Sequence, residues 1–301
     1  MLDVCLLGTA GVMPIPTRHL TSCFLRCNGK GILIDCGEGT QVALQKSPYS
    51  FMDIDYILLT HNHPDHFNGL PGLLSSIAFN GRKKEITIIA PEAMQQTIAV
   101  MLQITPRLPY KLYFHGLKKD IEDIDLSPFT IHAFKVEHNT ICYGYSIEIK
   151  RQPKFEVDKA KQLNIPVQYW NDLQHGQTIK INGKKYKPES VMGKERKGLK
   201  IVYCTDSRPC GNIEICAREA DLLILEGMYG DLEMQQDAIE KKHMMMWEAA
   251  TIASKAKVKE LWFTHYSPYV QDPYDYVDTF NSIYPGKIVE DGTIRTFTFQ
   301  N

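Results

Sequence analysis

The chain has 301 residues and a formal net charge of −1, with 44% hydrophobic and 23% charged residues. This length suits one large or two small domains, and the apolar content excludes a disordered protein. No apolar run approaches the roughly 18 residues that cross a bilayer, and the N-terminus reads as a strand and not as a signal peptide. The eight cysteines include no CxxC pair, which is typical of reduced thiols in a cytoplasmic protein.

Short strands and helices alternate along both halves of the chain. Strands are predicted at 4–7, 22–26, 31–36, 55–60, 86–90, 130–136, 144–149, 199–205, 222–226 and 260–264. Apolar residues at helical spacing predict helices at 40–46, 70–78, 93–104 and 245–255. The alternation occurs on both sides of a central segment of different character. It indicates two packed sheets with helices outside, an α/β sandwich.

The central segment, residues 150–200, is strongly basic. It holds 13 Lys and Arg against 5 Asp and Glu, a net charge of +8, so the rest of the chain carries −9. Four aromatic residues lie among the basic ones: Phe155, Tyr169, Trp170 and Tyr186. Such a composition suits a phosphate backbone and unstacked bases. A solvated surface hairpin is the alternative.

A cluster of metal-ligand residues follows the predicted strand 55–60. It reads His61-Asn-His-Pro-Asp-His66. Three imidazoles and a carboxylate at the end of a buried strand are costly unless their lone pairs are used, and together they suit zinc or a similar divalent ion. Positions one and three of the turn can face one metal while positions five and six face another. The motif therefore predicts a dinuclear site.

Further polar residues lie just beyond predicted strands. They are His138, Asp206 and His265, and catalytic side chains often occupy this position on an α/β scaffold. The recurrence of the pattern makes them a set of candidate ligands. The remaining histidines are expected to be structural or solvent-facing: His19, His115, His132 and His175.

The chain resembles the ribonuclease Z family of the metallo-β-lactamase superfamily over nearly its whole length. The resemblance lies in Leu7-Gly-Thr-Ala-Gly11, Ile34-Asp-Cys-Gly-Glu-Gly-Thr-Gln41, Leu59-Thr-His-Asn-His-Pro-Asp-His66, Gly69-Leu-Pro-Gly-Leu-Leu-Ser75, Cys204-Thr-Asp206 and Phe263-Thr-His-Tyr-Ser267. The HxHxDH motif indicates the superfamily, and the glycine-rich motifs narrow it to the family. The resemblance implies a four-layer αββα sandwich, with one domain over 1–301 and an inserted tRNA-binding arm at about 150–198.

The resemblance also implies a set of roles. Two zinc ions, with manganese or mixed occupancy as the alternative, would acidify a bridging water. One zinc would be held by His61, His63 and His138, the second by Asp65, His66 and His265, and Asp206 would bridge them. Asp35 would orient a ligand imidazole. Asp65 would also accept a proton from the attacking water, His243 would protonate the leaving group, and Glu226 would hydrogen bond to that imidazole.

The implied partner is precursor tRNA, bound by a homodimer in which one subunit's arm presents the tRNA to the other's metals, with no membrane involved. The candidate substrate contacts are Arg18, Lys150, Arg151, Lys154, Lys159 and Lys161. The chain departs from the family pattern at the arm tip, 167–170, in the loop 14–19, at 244–246 and at Tyr269. None of these positions is a proposed metal ligand.

The expected function is that of a zinc-dependent phosphodiesterase that removes the 3′ trailer from precursor tRNA and leaves a 3′-hydroxyl. Two alternatives stay open at this point. The first is a metal-dependent hydrolase of a small phosphodiester, lactone or thioester, although a small substrate needs no remote basic clamp. The second is a non-hydrolytic RNA-binding protein with structural zinc, although structural zinc sites are normally closed by four protein ligands.

Overall fold

The structure, a computed structural model, describes residues 1–299. Its strands are β1 (Leu2–Gly8), β2 (Ser22–Cys27), β3 (Lys30–Ile34), β4 (Ile54–Leu58), β5 (Ile86–Pro91), β6 (Leu112–Leu117), β7 (Ile121–Leu126), β8 (Phe129–Val136), β9 (Cys142–Arg151), β10 (Ile179–Ile181), β11 (Lys184–Tyr186), β12 (Arg196–Cys204), β13 (Leu222–Glu226), β14 (Leu261–Thr264), β15 (Gly286–Ile288) and β16 (Thr293–Phe297). Its α-helices are α1 (Thr40–Lys46), α2 (Pro64–Phe67), α3 (Leu70–Phe79), α4 (Gln95–Met101), α5 (Val157–Gln162), α6 (Trp170–Gln174), α7 (Gly211–Ala217), α8 (Gln235–Glu240), α9 (Met246–Ala256) and α10 (Val277–Asn281). None of the helices within the described residues has both the length and the hydropathy needed to span a membrane.

The two seven-stranded sheets have the same mixed topology. Their strand orders are β16-β1-β2-β3-β4-β5-β6 and β15-β14-β13-β12-β9-β8-β7. Half of each sheet is antiparallel, whereas β3 to β6 and β12 to β15 run parallel. The carboxyl ends of parallel strands meet at one edge, where the loops that follow them can converge on a ligand. The candidate ligands of 61–66, Asp206 and His265 lie in such loops, whereas His138 follows the antiparallel strand β8.

Apolar residues form three layers around these sheets. One cluster lies between them and includes Ile32 and Ile34 of β3 together with Ile131 and Ala133 of β8. A second cluster covers the other face of the first sheet with residues of α1, α3 and α4. A third covers the other face of the second sheet with residues of α7, α9 and α10. The predicted αββα sandwich is confirmed.

Within the two large sheets, the strands that are not predicted from the sequence are the edges; the short pair β10 and β11 is not predicted either. The edges are β6 and β16 of the first sheet and β7 and β15 of the second. An edge strand is covered on fewer sides than an inner strand, so its apolar pattern is weaker. In β7, for example, exposed and half-buried residues alternate and three of the six positions are acidic. The inner strands, whose residues are mostly buried, are all predicted.

Residues 150–198 form a compact unit distinct from the rest of the described chain. The unit contains α5, α6, β10 and β11. Its own small core consists of Ala160, Ile165, Leu173, Ile179 and Val191. The aromatic side chains that the sequence offers to unstacked bases are instead partly buried against this core: Phe155, Tyr169, Trp170 and Tyr186. The Trp170 indole also donates a hydrogen bond of 2.8 Å to the Ile165 carbonyl.

A substitution in this small core is expected to destabilise the unit locally. Leu173 is fully buried, and a Leu→Ala substitution in a core lowers the free energy of unfolding by about 2–5 kcal/mol. We expect Leu173→Ala to increase amide hydrogen exchange throughout residues 150–198 and to leave β1 and β8 protected. Val167→Ala is the control, because Val167 is 70% exposed. An equal loss of protection in β1 and β8 would contradict the independence of the unit.

Candidate metal centre

The histidine motif occupies the turn between β4 and α2. His63 is the residue before α2, and Pro64 occupies its first turn, where a fixed φ suits the helix start. The extended backbone before the helix and the helical turn after it direct the two halves of the motif to different sides. His61 and His63 fall in one group of candidate ligand atoms, and Asp65 and His66 fall in another.

The first group brings together residues from both sheets. It consists of His61, His63, His138 and Asp206. His138 follows β8, and Asp206 follows β12. His138 Nε2 lies 3.3 Å from His63 Nδ1. Asp206 Oδ2 lies 3.7 Å from His61 Nε2 and 3.8 Å from His138 Nε2.

The second group lies on the other side of the Asp206 carboxylate. It consists of Asp65, His66 and His265, and the two imidazole Nε2 atoms are 3.2 Å apart. Asp65 Oδ2 lies 3.4 Å from His66 Nε2 and 3.5 Å from His265 Nε2. Asp206 Oδ1 lies 3.2 Å from each of these nitrogens. One oxygen of Asp206 therefore faces each group.

Asp35 orients two of the histidines from behind. It is fully buried, and its Oδ2 accepts hydrogen bonds from His66 Nδ1 at 2.8 Å and from the Tyr203 hydroxyl at 3.3 Å. The Thr60 amide and hydroxyl donate to Asp35 Oδ1 at 2.9 and 3.0 Å. The Thr60 hydroxyl oxygen accepts a 3.0 Å hydrogen bond from His61 Nδ1. With Nδ1 engaged in each ring, the Nε2 lone pairs face the cluster.

The donor atoms fit divalent metal ions. His61 Nε2 and Asp206 Oδ1 are buried and have no hydrogen-bond partner among residues 1–299. Zinc–nitrogen bonds of about 2.0–2.1 Å in a tetrahedral site place neighbouring ligand atoms roughly 3.4 Å apart. The separations within the two groups run from 3.2 to 3.8 Å. Converging lone pairs at these separations repel one another unless a cation lies between them.

Burial keeps most of the cluster histidines neutral. It lowers the pKa of His61 well below its ordinary value, and it also lowers the pKa of His63 and His138. Neutral imidazole is the form that binds metal. For His66, burial acts to lower the pKa, but the surrounding carboxylates, Asp206 foremost, raise it well above the ordinary value. The carboxylates of the site therefore favour a positive charge at the position of His66.

His243 and Glu226 form a pair beside the cluster. Glu226, at the end of β13, is fully buried, and its Oε2 accepts a 2.8 Å hydrogen bond from His243 Nδ1. Burial acts to lower the pKa of His243, but the Glu226 carboxylate outweighs it and raises the pKa to about 9. His243 Nδ1 lies 4.0 Å from Asp206 Oδ2, and the ring stacks on His265 with centroids 5.9 Å apart. The imidazole therefore carries a proton next to the cluster.

The loop after β1 brings backbone against the second group. The Val12 amide donates to Asp65 Oδ2 at 2.8 Å, and Val12 has a φ of 68°. This left-handed conformation is a genuine outlier for a β-branched residue, and such strain often accompanies function. At Gly11, a Cβ would lie 2.8 Å from the imidazole of His265. Glycine is therefore required for this close approach.

The predicted substrate contacts lie outside the cluster. Arg18 Nη2 donates to the carbonyls of Val270 at 3.0 Å and Gln271 at 2.7 Å, and the guanidinium lies 5.4 Å from the Tyr266 ring centre. Nη2 is thus engaged within the protein, whereas Nη1 is buried and has no hydrogen-bond partner among residues 1–299. In the 150–198 unit, Arg151 is half-buried and four lysines are exposed: Lys150, Lys154, Lys159 and Lys161. Their contact with substrate stays a prediction.

The histidines outside the cluster have protein partners, as expected of structural residues. His19 bonds to Asp291, His115 to Glu122, His132 to Asp123 and His175 to the Asn171 carbonyl. The residues that support the cluster are not predicted from the sequence: Val12, Thr60, Tyr203 and Lys242, whose carbonyl accepts a 3.0 Å hydrogen bond from His138 Nδ1. Most act through a backbone group or from within a strand, where residue type carries no signal. A polar Thr60 at a strand end, directly before His61, is the one available signal.

The chain is similar to known proteins over nearly its whole length. The family model described as Anti-Pycsar protein Apyc1 matches residues 2–284. A ribonuclease Z from Lachnospira eligens is 50% identical over 288 residues, which cover 96% of this chain and 95% of the relative. The crystal structure of human tRNase Z, short form, is 26% identical with a TM-score of 0.70, covering 99% of this chain and 100% of that one.

The fold is equally similar to that of a protein with lower sequence identity. The metallo-β-lactamase fold protein YhfI from Bacillus subtilis aligns with a TM-score of 0.70 and 20% identity over 98% of both chains. The arrangement of sheets, helices and ligand-bearing loops is therefore that of the metallo-β-lactamase fold. By its identity and coverage, the chain belongs to the ribonuclease Z family and to the family that the Anti-Pycsar protein Apyc1 model describes.

Proposed function

We propose that this chain is a metal-dependent endoribonuclease that removes the 3′ trailer from precursor tRNA and leaves a 3′-hydroxyl on the tRNA. The observation that carries the proposal is the arrangement around Asp206, whose two oxygens each face a separate group of candidate ligands. Membership of the ribonuclease Z family, together with the likeness to human tRNase Z, supports tRNA as the substrate class.

Two zinc ions suit the two groups of donors, and manganese or mixed occupancy suits the same atoms. His61, His63 and His138 would hold one ion. Asp65, His66 and His265 would hold the other, with Asp206 shared between the two. When bound, such ions supply a water that is acidic near neutral pH and neutralise charge on the phosphate. Three ligands per ion plus a shared carboxylate leave space for a water and a substrate oxygen.

The chain's own residues supply the proton transfers. His243 is protonated beside Glu226, and its Nε2 has no hydrogen-bond partner among the described residues. It is the proposed donor to the 3′-oxygen that leaves. Asp65 is held by the Val12 amide and faces the rings of His66 and His265. Its carboxylate is the proposed acceptor of the proton from the attacking water.

The 150–198 unit is the proposed binding surface for the tRNA backbone. It carries 12 Lys and Arg against 5 Asp and Glu. Contacts to phosphates supply affinity without sequence readout. A cytoplasmic homodimer, in which the unit of one subunit presents tRNA to the metal centre of the other, completes the proposal. The proposed contacts are Arg18, Lys150, Arg151, Lys154, Lys159 and Lys161.

A small phosphodiester is the second candidate substrate. The observation that favours it is that all the candidate ligands lie outside the 150–198 unit. The proposed ligand set therefore includes no residue of that unit. Hydrolysis of a small ester and cleavage of precursor tRNA can thus be separated experimentally, because only the second is expected to need a remote basic surface.

Mapping the cleavage products of a 3′-extended precursor tRNA tests the proposal. We expect the zinc-loaded protein to cut once, after the discriminator nucleotide. Asp65→Ala is expected to abolish turnover, because it removes both a metal ligand and the proposed proton acceptor, while the far-ultraviolet circular dichroism stays unchanged. Asp237→Ala is the control, since Asp237 lies on the surface of α8 and, among residues 1–299, its carboxylate pairs with Lys241 at 2.7 Å. Absence of cleavage at this junction, with small phosphodiesters still hydrolysed, would favour the second candidate.

Neutralising the basic unit is expected to affect only the long substrate. The triple variant Lys154→Gln, Lys159→Gln and Lys161→Gln is expected to raise KM for precursor tRNA. Its plot of log binding constant against log salt is expected to lose about 0.7–0.9 of slope for each phosphate contact removed. Hydrolysis of a small phosphodiester is expected to change by less than about 2-fold, because the metal centre is untouched.

A matched control replaces three exposed lysines outside the unit. Lys83, Lys111 and Lys119 are all exposed, and their replacement by Gln removes the same charge from the whole protein. We expect this control to bind precursor tRNA with the wild-type salt slope. Equal effects of the two triple variants would show that net charge, and not a contact surface at 150–198, sets the affinity.

A further inference from the structure

The segment 206–208 holds His243 by its ring and by its backbone. The Ser207 amide donates to Glu226 Oε1 at 2.7 Å, and Glu226 Oε2 accepts from His243 Nδ1 at 2.8 Å. Arg208 Nη1 donates to the His243 carbonyl at 2.5 Å. Asp206, whose carboxylate lies between the two ligand groups, begins the same segment. The position of His243 relative to the cluster is therefore set by three consecutive residues.

Arg208 also connects this segment to helix α9. Its two terminal nitrogens donate to Glu248 Oε2 at 2.8 Å and Oε1 at 2.5 Å, a bidentate pair between side chains that are only 15% and 10% exposed. Glu248 Oε2 also accepts from the Met245 amide at 2.9 Å and so caps the helix. The Arg208 amide donates to the Glu137 carbonyl at 2.8 Å. Contacts other than the one with His243 thus hold the Arg208 guanidinium in place.

The peptide carbonyls of residues 241–243 each have a partner from another segment. The Lys241 carbonyl accepts from Asn139 Nδ2 at 3.1 Å, and the Lys242 carbonyl accepts from His138 Nδ1 at 3.0 Å. Arg208 supplies the partner of the third carbonyl, that of His243. This stretch belongs to no helix or strand, so these contacts, together with the bond that the His243 amide donates to the Ala238 carbonyl at 2.8 Å, hold the backbone that carries the His243 ring.

We propose that Arg208 is a positioning residue for His243, holding its imidazole between Glu226 and the metal cluster during protonation of the leaving group. The inference rests on the proposed function. In that step the oxygen of the attacking water bonds to phosphorus and its proton passes to Asp65, while the bond between phosphorus and the 3′-oxygen breaks. The proton of His243 passes to this 3′-oxygen, and the imidazole becomes neutral. Lysine cannot replace Arg208, because one ammonium lacks the planar fork that serves Glu248 and the carbonyl together.

Two substrates that differ in their leaving group test this role. A 3′-extended precursor tRNA releases an alkoxide that needs a proton, whereas bis(p-nitrophenyl) phosphate releases a nitrophenolate that leaves as the anion. For Arg208→Lys we expect kcat on precursor tRNA to fall about 10²-fold, as for a misplacement near 1 Å. We expect KM for the tRNA, kcat for the nitrophenyl ester and the metal content by elemental analysis to stay within about 2-fold of wild type.

Arg295→Lys is the matched control. Arg295 pairs with Glu260 at 2.8 Å, its side chain is 53% exposed, and it lies on β16, away from the cluster. We expect this variant to match the wild type on both substrates. Glu248→Gln is the second variant, because glutamine can still cap α9 but holds the guanidinium less strongly. It is expected to show the same dependence on leaving group with a smaller loss, and it decides the matter if Arg208→Lys does not fold.

Equal losses of Arg208→Lys on the two substrates would overturn the inference, because they would show a structural role only. Unchanged kcat on precursor tRNA would overturn it as well. His243→Ala distinguishes failure of the inference from failure of the proposed function. If His243→Ala loses activity equally on both substrates, or cleaves precursor tRNA at the wild-type rate, then His243 is not the proton donor and both claims fall. If His243→Ala depends on the leaving group and Arg208→Lys does not, only the inference falls.

Discussion

The structure depends on holding several electron-rich atoms together in a buried space. Imidazole nitrogens and carboxylate oxygens converge around Asp206 at separations of 3.2 to 3.8 Å. Without a cation these lone pairs repel, and the buried polar atoms lack partners. The protein holds them through hydrogen bonds on the far side of the rings, which His66 Nδ1 donates to Asp35 and His138 Nδ1 donates to the Lys242 carbonyl. The fold is thus organised to keep a site that only bound cations make favourable.

Both sheets contribute to this site, so their packing is part of the function. The turn 61–66 follows β4 of the first sheet, whereas His138, Asp206 and His265 follow β8, β12 and β14 of the second. The apolar cluster between the sheets fixes the distance between these two sets of loops. A change of core volume there would move the ligands that follow the first sheet relative to those that follow the second, and so would distort both groups. The geometry of the cluster is therefore a property of the whole sandwich and not of one motif.

Inner strands and candidate ligands could be predicted from the sequence, whereas edge strands and supporting residues could not. An inner strand such as β14 is buried throughout and leaves an apolar run, and the candidate ligand after it, His265, is a polar residue where an apolar one is expected. The edge strand β7 has no such contrast. Lys242 supports His138 through its backbone carbonyl, which every residue possesses. Trp170 reads as an exposed base-stacking residue among lysines, yet it packs against a core that only tertiary structure creates.

The most direct test of the central claim is a crystal structure of the zinc-reconstituted protein with anomalous data collected at the zinc edge. The account predicts two peaks about 3.5–4 Å apart on either side of the Asp206 carboxylate. One peak should lie among His61, His63 and His138, and the other among Asp65, His66 and His265. A single peak, or zinc bound only at surface histidines such as His132, would contradict it.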